Sequence, residues 1–391
     1  MRIAVAFDCL FPVTTGGGER QYRAFAEAYA AAGHQVDYLT RRQWDDEAPV
    51  VPGVRVRAVS GPSDLYDEDG NRRPLTALRY AAGLFVHLAR RRHEYDVVLV
   101  SALPVLNVLA ARLALVGSRV RLCADFLEVW RPDQWVEYSG PVVGRVAAAL
   151  QRLAVRISPV VSCHSRMNGR RLVAEGARRA PVVSPGLIYR TDVGPATLEA
   201  ADPPTVVFVG RHIPDKQVET IPAAVAWARR HVPALRATVL GDGQQREAVR
   251  AEVVRLGLQD VVDLPGFVTQ AELDEALAGA ACLVNPSRRE GYGLVVVEAA
   301  AHGTPVVLVD ASDNASVELV EPGVNGVVAA STAPEVLGAA LVETVTAGPA
   351  LRRRARDWFD RTVVEGTAAN AAARILSAVG EQAGAAPVPH P

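Results

Sequence analysis

Short, unbroken runs of Val, Leu and Ile recur along most of the chain, each followed by a stretch with helical periodicity. That alternation leaves few folds open. Eleven runs read as strands: Arg2–Phe7, Gln35–Thr40, Val54–Ser60, Asp96–Ala102, Arg119–Ala124, Val160–Cys163, Thr205–Gly210, Ala237–Gly241, Val261–Leu264, Ala281–Asn285 and Pro305–Asp310. A sheet with one wet face would alternate apolar with polar residues. Near-continuous apolar runs suit parallel strands buried on both faces. The stretches between them supply the covering helices. In Glu19–Gly33, Tyr22, Phe25, Ala26 and Tyr29 fall at i, i+3, i+4 and i+7, and Gly33 stands where a helix C-cap is wanted. Repeated strand–helix units predict a doubly wound α/β architecture.

The rhythm breaks over Gly186–Pro204, which is rich in Gly and Pro. With 391 residues there is length for two domains. The predicted division is an N-terminal domain over 1–190, a linker over 191–204 and a C-terminal domain over 205–350. Helices over 351–380 return to the first domain, and 381–391 forms a disordered tail. The net charge of −1 gives no footing to nucleic acid. The four cysteines are scattered without a C-x-x-C pair, which fits a reducing compartment. Met1–Phe7 already reads as a buried strand, with no basic leader, and no apolar run reaches the roughly 18–20 residues of a membrane span. The expectation is a cytoplasmic protein, at most peripheral to a membrane, of unknown oligomeric state.

Three loops carry chemistry. Thr14–Arg20 holds Gly16, Gly17 and Gly18 directly after the first strand, where backbone amides can approach an anion closely. It is neither a G-x-G-x-x-G fingerprint nor a P-loop, which argues against a dinucleotide-dependent oxidoreductase. Gly210–Gln217 places Arg211 and Lys216 around a turn. Lys216 is the single lysine beside 41 arginines, so its retention marks it as a point charge with a task, such as clamping a diphosphate. The third loop runs from Asn285 through Glu290, Gly291, Tyr292, Gly293 and Leu294 into a helix that carries Glu298 and stops at Gly303. Its turn amides and helix N-terminus form an anion site. Carboxylates beside phosphates make electrostatic sense only if they serve ligand hydroxyls, so Glu290 and Glu298 point to a ligand that is both phosphorylated and polyhydroxylated.

Glu290 and Glu298 form an E-x7-E pattern, E-G-Y-G-L-V-V-V-E, that resembles glycosyltransferase family 4, the retaining enzymes of the GT-B fold. Arg211 and Lys216 are similar to that family's G-R-x-x-x-x-K loop, and Gly16, Gly17 and Glu19 to its G-G-x-E-R loop. Gly241-Asp-Gly243 and Pro265-Gly-Phe-Val268 look like further landmarks, so the resemblance covers roughly residues 1–380 in order. It implies two Rossmann-like domains facing a cleft. It further implies a catalytic set of Glu290, Arg211 and Lys216, with Arg211 and Lys216 holding the donor diphosphate. The amides of Gly291, Tyr292, Gly293 and Leu294, with Gly16 and Gly17, would complete the cradle. Glu298 would hold the ribose, Glu290 the transferred sugar, and the backbone of Phe267 and Val268 the base. No cofactor and no metal is implied, because cationic side chains and a helix terminus neutralise the leaving group.

One departure stands out. The family often places a histidine after the fifth strand. Here the segment reads Leu122-Cys-Ala-Asp-Phe-Leu-Glu-Val-Trp130, which leaves Asp125 and Glu128 as acceptor-side candidates. His164 reads as a plain polar residue at a strand end. Asp67-Glu-Asp69 spells D-x-D but sits in a polar turn. Arg90–Arg92 and Arg352–Arg354 read as helix surface, with anionic lipid as the other reading, while Trp130, Trp135 and Tyr138 suit either an acceptor cleft or ordinary packing. The expected activity is transfer of a hexose-type sugar, UDP-hexose or UDP-GlcNAc favoured as donor, to a hydroxyl of a small-molecule acceptor. The alternatives are a nucleotide-sugar-binding partner subunit without turnover, or a lipid or polysaccharide acceptor.

Overall fold

The computed structural model describes residues 1–14, 16–65, 73–184 and 196–381. The chain forms two compact units, Met1–Tyr189 with Gly366–Pro391, and Arg190–Glu365.

Unit 1 is built on β1 (Arg2–Ala6), β2 (Gln35–Arg41), β3 (Val54–Ser60), β4 (Val97–Ser101), β5 (Arg121–Phe126), β6 (Val160–Cys163) and β7 (Val182–Val183). They form one parallel sheet in the order β3-β2-β1-β4-β5-β6-β7. Its helices are α1 (Gly17–Ala31), α2 (Pro74–Arg91), α3 (Leu106–Ala114), α4 (Pro132–Ser139), α5 (Pro141–Ile157) and α6 (Arg166–Ala174). One sheet face buries Ala4, Ala6, Val98, Val100, Leu122 and Ala124 against Tyr80, Leu84 and Leu88 of α2 and residues of α3 and α5. The alternate residues Ile3 and Val5 are equally buried, as are Tyr22, Phe25 and Tyr29 of α1. Successive strand residues face opposite ways, so a strand covered on both sides must be apolar at every position.

Unit 2 contains β8 (Thr205–Val209), β9 (Arg236–Leu240), β10 (Val262–Gly266), β11 (Cys282–Asn285), β12 (Arg289–Glu290), β13 (Val306–Val309), β14 (Asp313–Asn314) and β15 (Gly326–Ala329). Six of these form a parallel sheet in the order β10-β9-β8-β11-β13-β15, while β12 and β14 pair separately. The helices are α7 (Ile221–Ala228), α8 (Arg246–Arg255), α9 (Gln270–Gly279), α10 (Leu294–Ala301), α11 (Pro334–Thr346) and α12 (Gly348–Val363). The faces again divide by residue parity. Val206, Phe208 and Val239 pack with α7, α8 and α11, while Val207, Leu240 and Leu283 pack with α9 and α10.

All eleven expected strands are present, β3 and β6 with the expected ends and the others with ends shifted by one or two residues. The largest shift is β5, which ends at Phe126 and so contains Asp125. The return to unit 1 also starts later than expected, at Gly366. Helix α12 stays on unit 2 because the Arg352 guanidinium, 2% exposed, donates to the carbonyls of Thr197 (2.8 Å), Ala278 (2.7 Å) and Ala280. Only α13 (Ala368–Gly380) packs on α1. Arg352 is therefore not surface, as its neighbours suggested. Burial pulls its pKa down to about 10. The Asp67–Asp69 motif, residues 191–195 of the linker and nearly all of the 381–391 tail lie outside the described residues. Among those described, no helix is long and apolar enough to cross a membrane.

Candidate donor site

In each sheet the strand order reverses at the first strand, between β1 and β4 in unit 1 and between β8 and β11 in unit 2. The crevice beyond the C-terminal ends of such strands is where open α/β sheets take ligands. The loops singled out in the sequence follow β1, β8 and β11.

In unit 2, the loop after β8 is shaped by contact with the loop after β9. The amide of His212 donates to the Asp242 carbonyl at 2.8 Å, and that of Gln245 to the His212 carbonyl at 2.8 Å. Gly241, at φ 111°, leaves no room for a side chain, because a Cβ would strike the Gly210 carbonyl. His212 is fully buried beside Phe208, and desolvation pushes its pKa down. Pro214–Lys216 form a 3₁₀ turn that ends on Gln217, at φ 47° the one non-glycine residue in the left-handed region among those described. Such a backbone persists only where its surroundings over-determine it, and it commonly accompanies a functional loop.

Cross-links to the loop after β11 supply that over-determination. Lys216 Nζ forms an ion pair with Glu290 Oε1, both side chains being partly buried. The same carboxylate oxygen accepts from Asn285 Nδ2 and Ser287 Oγ, each at 3.2 Å. One residue earlier, Asp215 accepts from Arg288 Nε at 2.9 Å and from Arg289 at 2.8 Å, while its carbonyl takes the Arg288 amide at 2.9 Å. The β12–β14 pairing backs the loop, with Asn314 Nδ2 donating to the Ser287 carbonyl at 3.0 Å. Gly293, at φ 101°, caps α10, where a Cβ would lie 2.5 Å from that of Ser316. Gly291 and Tyr292 are buried just before this helix start, and Glu298 stands half-buried one turn into α10. Arg211 is exposed, as is Phe267, whose side chain is 74% exposed beyond β10, with Val268 half-buried next to it. This edge therefore offers a lysine–glutamate pair, a free-standing aromatic and a helix N-terminus, the last favouring anions.

Unit 1 presents a different edge. The N-terminus of α1 starts at Gly16–Gly17, and Gly18 sits on Leu127 and Phe7. Four residues on, α1 is tied inward. Tyr22 Oη donates to Asp125 at 2.7 Å and Gln21 Nε2 at 3.2 Å, while Ser162 Oγ donates at 2.5 Å and His164 Nε2 lies 3.1 Å away. Asp125 is fully buried and His164 is 1% exposed. Burial alone would raise the Asp125 pKa, but the charge and hydrogen bond of His164, with Ser162 and Tyr22, hold it below the usual carboxylate range. Burial, then the neighbouring Asp125, push the Tyr22 hydroxyl up.

Asp125 is therefore no acceptor-side group. It lies inside a strand, and its oxygens are committed to four partners. His164 is likewise more than a plain polar residue. Glu128 remains exposed and accepts from Trp130 Nε1 at 2.7 Å, beside a cluster in which the Trp130 ring lies tilted 4.7 Å from Trp135 and edge-on 5.2 Å from Tyr138. Sequence reading missed Asp215, Asn285, Ser287 and Asn314. The signal available was a repeated Asn-x-Ser, at 285–287 and 314–316, in which each serine hydroxyl bonds back to its asparagine.

Comparison with known proteins fits this geometry. The family model described as glycosyl transferases group 1 matches residues 192–357, and the glycosyl transferase 4-like domain matches residues 16–186. Glycogen synthase of Mycobacterium tuberculosis is 28% identical over 363 residues, 88% of this chain and 86% of its own. The D-inositol 3-phosphate glycosyltransferase of Kineococcus radiotolerans is 31% identical over 313 residues, 72% of this chain and 70% of its own. Among solved structures, sucrose-phosphate synthase of Thermosynechococcus elongatus superposes with a TM-score of 0.76 at 19% identity, over 98% of this chain and all of its own. Anabaena HepE in complex with UDP and glucose gives 0.72 at 18% identity, over 97% and 99%. Two parallel Rossmann-like units, the E-x7-E helix start of unit 2 and these matches together make the chain a family 4 glycosyltransferase of the GT-B fold.

Proposed function

We propose that this glycosyltransferase is a retaining, metal-independent hexosyltransferase that takes its sugar from a UDP-sugar, either UDP-hexose or UDP-GlcNAc. The acceptor would be a hydroxyl of a small polar molecule. The carrying observation is the Lys216–Glu290 pair on the loops after β8 and β11, next to the start of α10. A lysine already held by a carboxylate is positioned and charged before the donor arrives, and a diphosphate can take over as its partner. Arg211 would supply a second, forked cation, and the amides of Gly291–Leu294 would meet the phosphates. Glu298 would accept from the ribose hydroxyls, Glu290 from those of the sugar, and the uracil would lie against Phe267 and Val268. HepE, crystallised with UDP and glucose, supports the choice of nucleotide, and the inositol-phosphate relative supports a small hydroxylated acceptor.

In this reading the sugar C1–O bond breaks with its electron pair leaving on the diphosphate. Arg211, Lys216 and the helix terminus stabilise the growing charge. The acceptor hydroxyl attacks C1 on the same face, and its proton passes to the departing phosphate oxygen. No protein nucleophile is needed. Glu128, exposed beside Trp130, is the acceptor-side candidate that remains.

The test is a panel of nucleotide sugars read by release of nucleotide diphosphate, with and without polyol acceptors, and by the anomeric coupling constant of the product. Release from UDP-sugars with retained configuration, unchanged in EDTA, is expected. Activity lost in EDTA and restored by Mg²⁺ or Mn²⁺, or an inverted product, would overturn the mechanism while leaving the family standing.

A further inference from the structure

We infer that the outer face of α5 is a docking surface for an anionic lipid bilayer. Val142, Val146, Ala149 and Leu153 stand at i, i+4, i+7 and i+11, one stripe along a helix. An ordinary amphipathic helix turns such a stripe to the core. Here the core side is Gly144, Gln151, Ala154 and Val155, and the apolar stripe faces water. Val142 is 72% exposed, Val146 54% and Leu153 47%, with Val143 beside them at 61%. Gly144 shows that the orientation is built in. A Cβ there would lie 2.5 Å from Val136 Cα, so this is the position pressed against α4.

The charges on the same face have one sign. Arg145, Arg152 and Arg156 recur at i, i+7 and i+11 and form a row beside the apolar stripe; all three are exposed. No Asp or Glu occurs between Glu137 and Glu175. Glu175 pairs with Arg152 at 2.9 Å, and on α4 Asp133 pairs with Arg131 at 3.1 Å, so the row keeps a positive balance. The arginine clusters noted in the sequence are not this surface. Arg352 is buried, Arg91 pairs with Glu94, and Arg92 donates to the Val116 carbonyl.

An apolar stripe flanked by arginines suits the boundary between headgroups and acyl chains. Short aliphatic side chains enter by a few ångströms while guanidinium groups meet lipid phosphates. A second copy of the chain fits less well. A two-fold contact through this face would set arginine row against arginine row, with no carboxylate on the helix to pair them. The docking concerns unit 1 alone and does not depend on which donor the enzyme takes.

The experiment is sedimentation of the full chain with phosphatidylglycerol and with phosphatidylcholine vesicles at low and high salt. Binding to phosphatidylglycerol should be at least about tenfold tighter than to phosphatidylcholine and should weaken with salt. Val142→Ser/Val146→Ser/Leu153→Ser should lose tenfold or more, and Arg145→Glu about fivefold, with wild-type melting and UDP affinity in both. Arg145 is exposed, so Arg145→Glu reports even if the triple variant folds poorly. Amide exchange over residues 142–153 should slow on phosphatidylglycerol vesicles. No sedimentation with phosphatidylglycerol, equal binding to both lipids, or a folded triple variant that binds like wild type would each overturn the proposal. So would a wild-type dimer that the triple variant abolishes, since a second copy would then cover the face.

Discussion

The two units share an architecture and handle charge in opposite ways. Both are all-parallel sheets whose order reverses at the first strand, and both carry their candidate residues just beyond or at the strand ends. In unit 2 the charges at that edge are partly open and paired between loops, Lys216 with Glu290 and Asp215 with Arg288 and Arg289. In unit 1 the charge is sealed, with Asp125 and His164 buried among Tyr22, Gln21 and Ser162. A pair that water can reach is able to exchange partners with an arriving anion. A sealed one cannot, and its use is to fix what surrounds it. Here it pins α1 about one to one and a half turns inward of Gly16 and Gly17. Unit 2 has a sealed charge as well, but Arg352 sits on α12, tying helix ends together.

The largest effect should come from breaking the sealed site. Asp125→Ala leaves His164, Gln21, Tyr22 and Ser162 without their common acceptor, and removing one partner of a buried pair costs about 3–5 kcal/mol. Urea denaturation followed on unit 1 should register that loss. If Asp125→Ala melted like wild type, the cluster would not be the fastener that its burial implies.

Next come the two glutamates, for which a hydrogen bond to a charged group suggests about 1.5–3 kcal/mol. Glu298→Ala should weaken UDP and UDP-sugar alike, roughly ten- to a hundredfold. Glu290→Ala should depress kcat by a similar factor. Because Glu290 also holds Lys216, it should lower UDP affinity too, by only a fewfold. Calorimetry with UDP and kinetics with the intact donor separate the two. Equal losses of UDP affinity would break the division between sugar and ribose.

Smaller again is Lys216→Ala, expected to cost at least about tenfold in UDP affinity, or about 1.4 kcal/mol. Its stability should change by about 1 kcal/mol or less, because a partly open pair contributes little to folding. The comparison between the units fails if Lys216→Ala unfolds the protein as Asp125→Ala should.

Much of this was legible beforehand because it is local. Continuous apolar runs announced buried parallel strands, and the E-x7-E and Arg211–Lys216 patterns lie within single loops and helix starts. What escaped was whatever depends on register between distant segments. Nothing near Asp125 in sequence says that Tyr22 is its partner, some hundred residues away. Reading β5 to end at Ala124 moved Asp125 out of the sheet and made it look available. The pairing of β12 with β14, which backs the Glu290 loop, joins two-residue strands too short for any periodicity. Helix α12 was assigned to the wrong unit because its arginines look like surface, and only the carbonyls gathered around Arg352 show otherwise.

The smallest expected effect concerns acid. Asp125 has a folded pKa held below its ordinary value by His164, Ser162 and Tyr22 against the cost of burial. With the folded value depressed, the unfolded chain takes up the proton first as pH falls. Its contribution to stability is fully present above the unfolded carboxyl pKa of about 3.9 and drains away as pH drops through the folded value. Between about pH 5 and pH 8 this carboxylate should therefore contribute no slope at all. Carboxyl ¹³C NMR on protein labelled at aspartate, with Asp125→Asn to assign the signal, reads this directly. The Asp125 shift should stay constant from pH 8 to pH 5 while the exposed aspartates begin to move. A signal that titrates at pH 5 or above would mean that burial outweighs the hydrogen bonds. Asp125 would then be a proton carrier rather than a fixed charge, and the contrast between a sealed unit 1 and an exchangeable unit 2 would no longer hold.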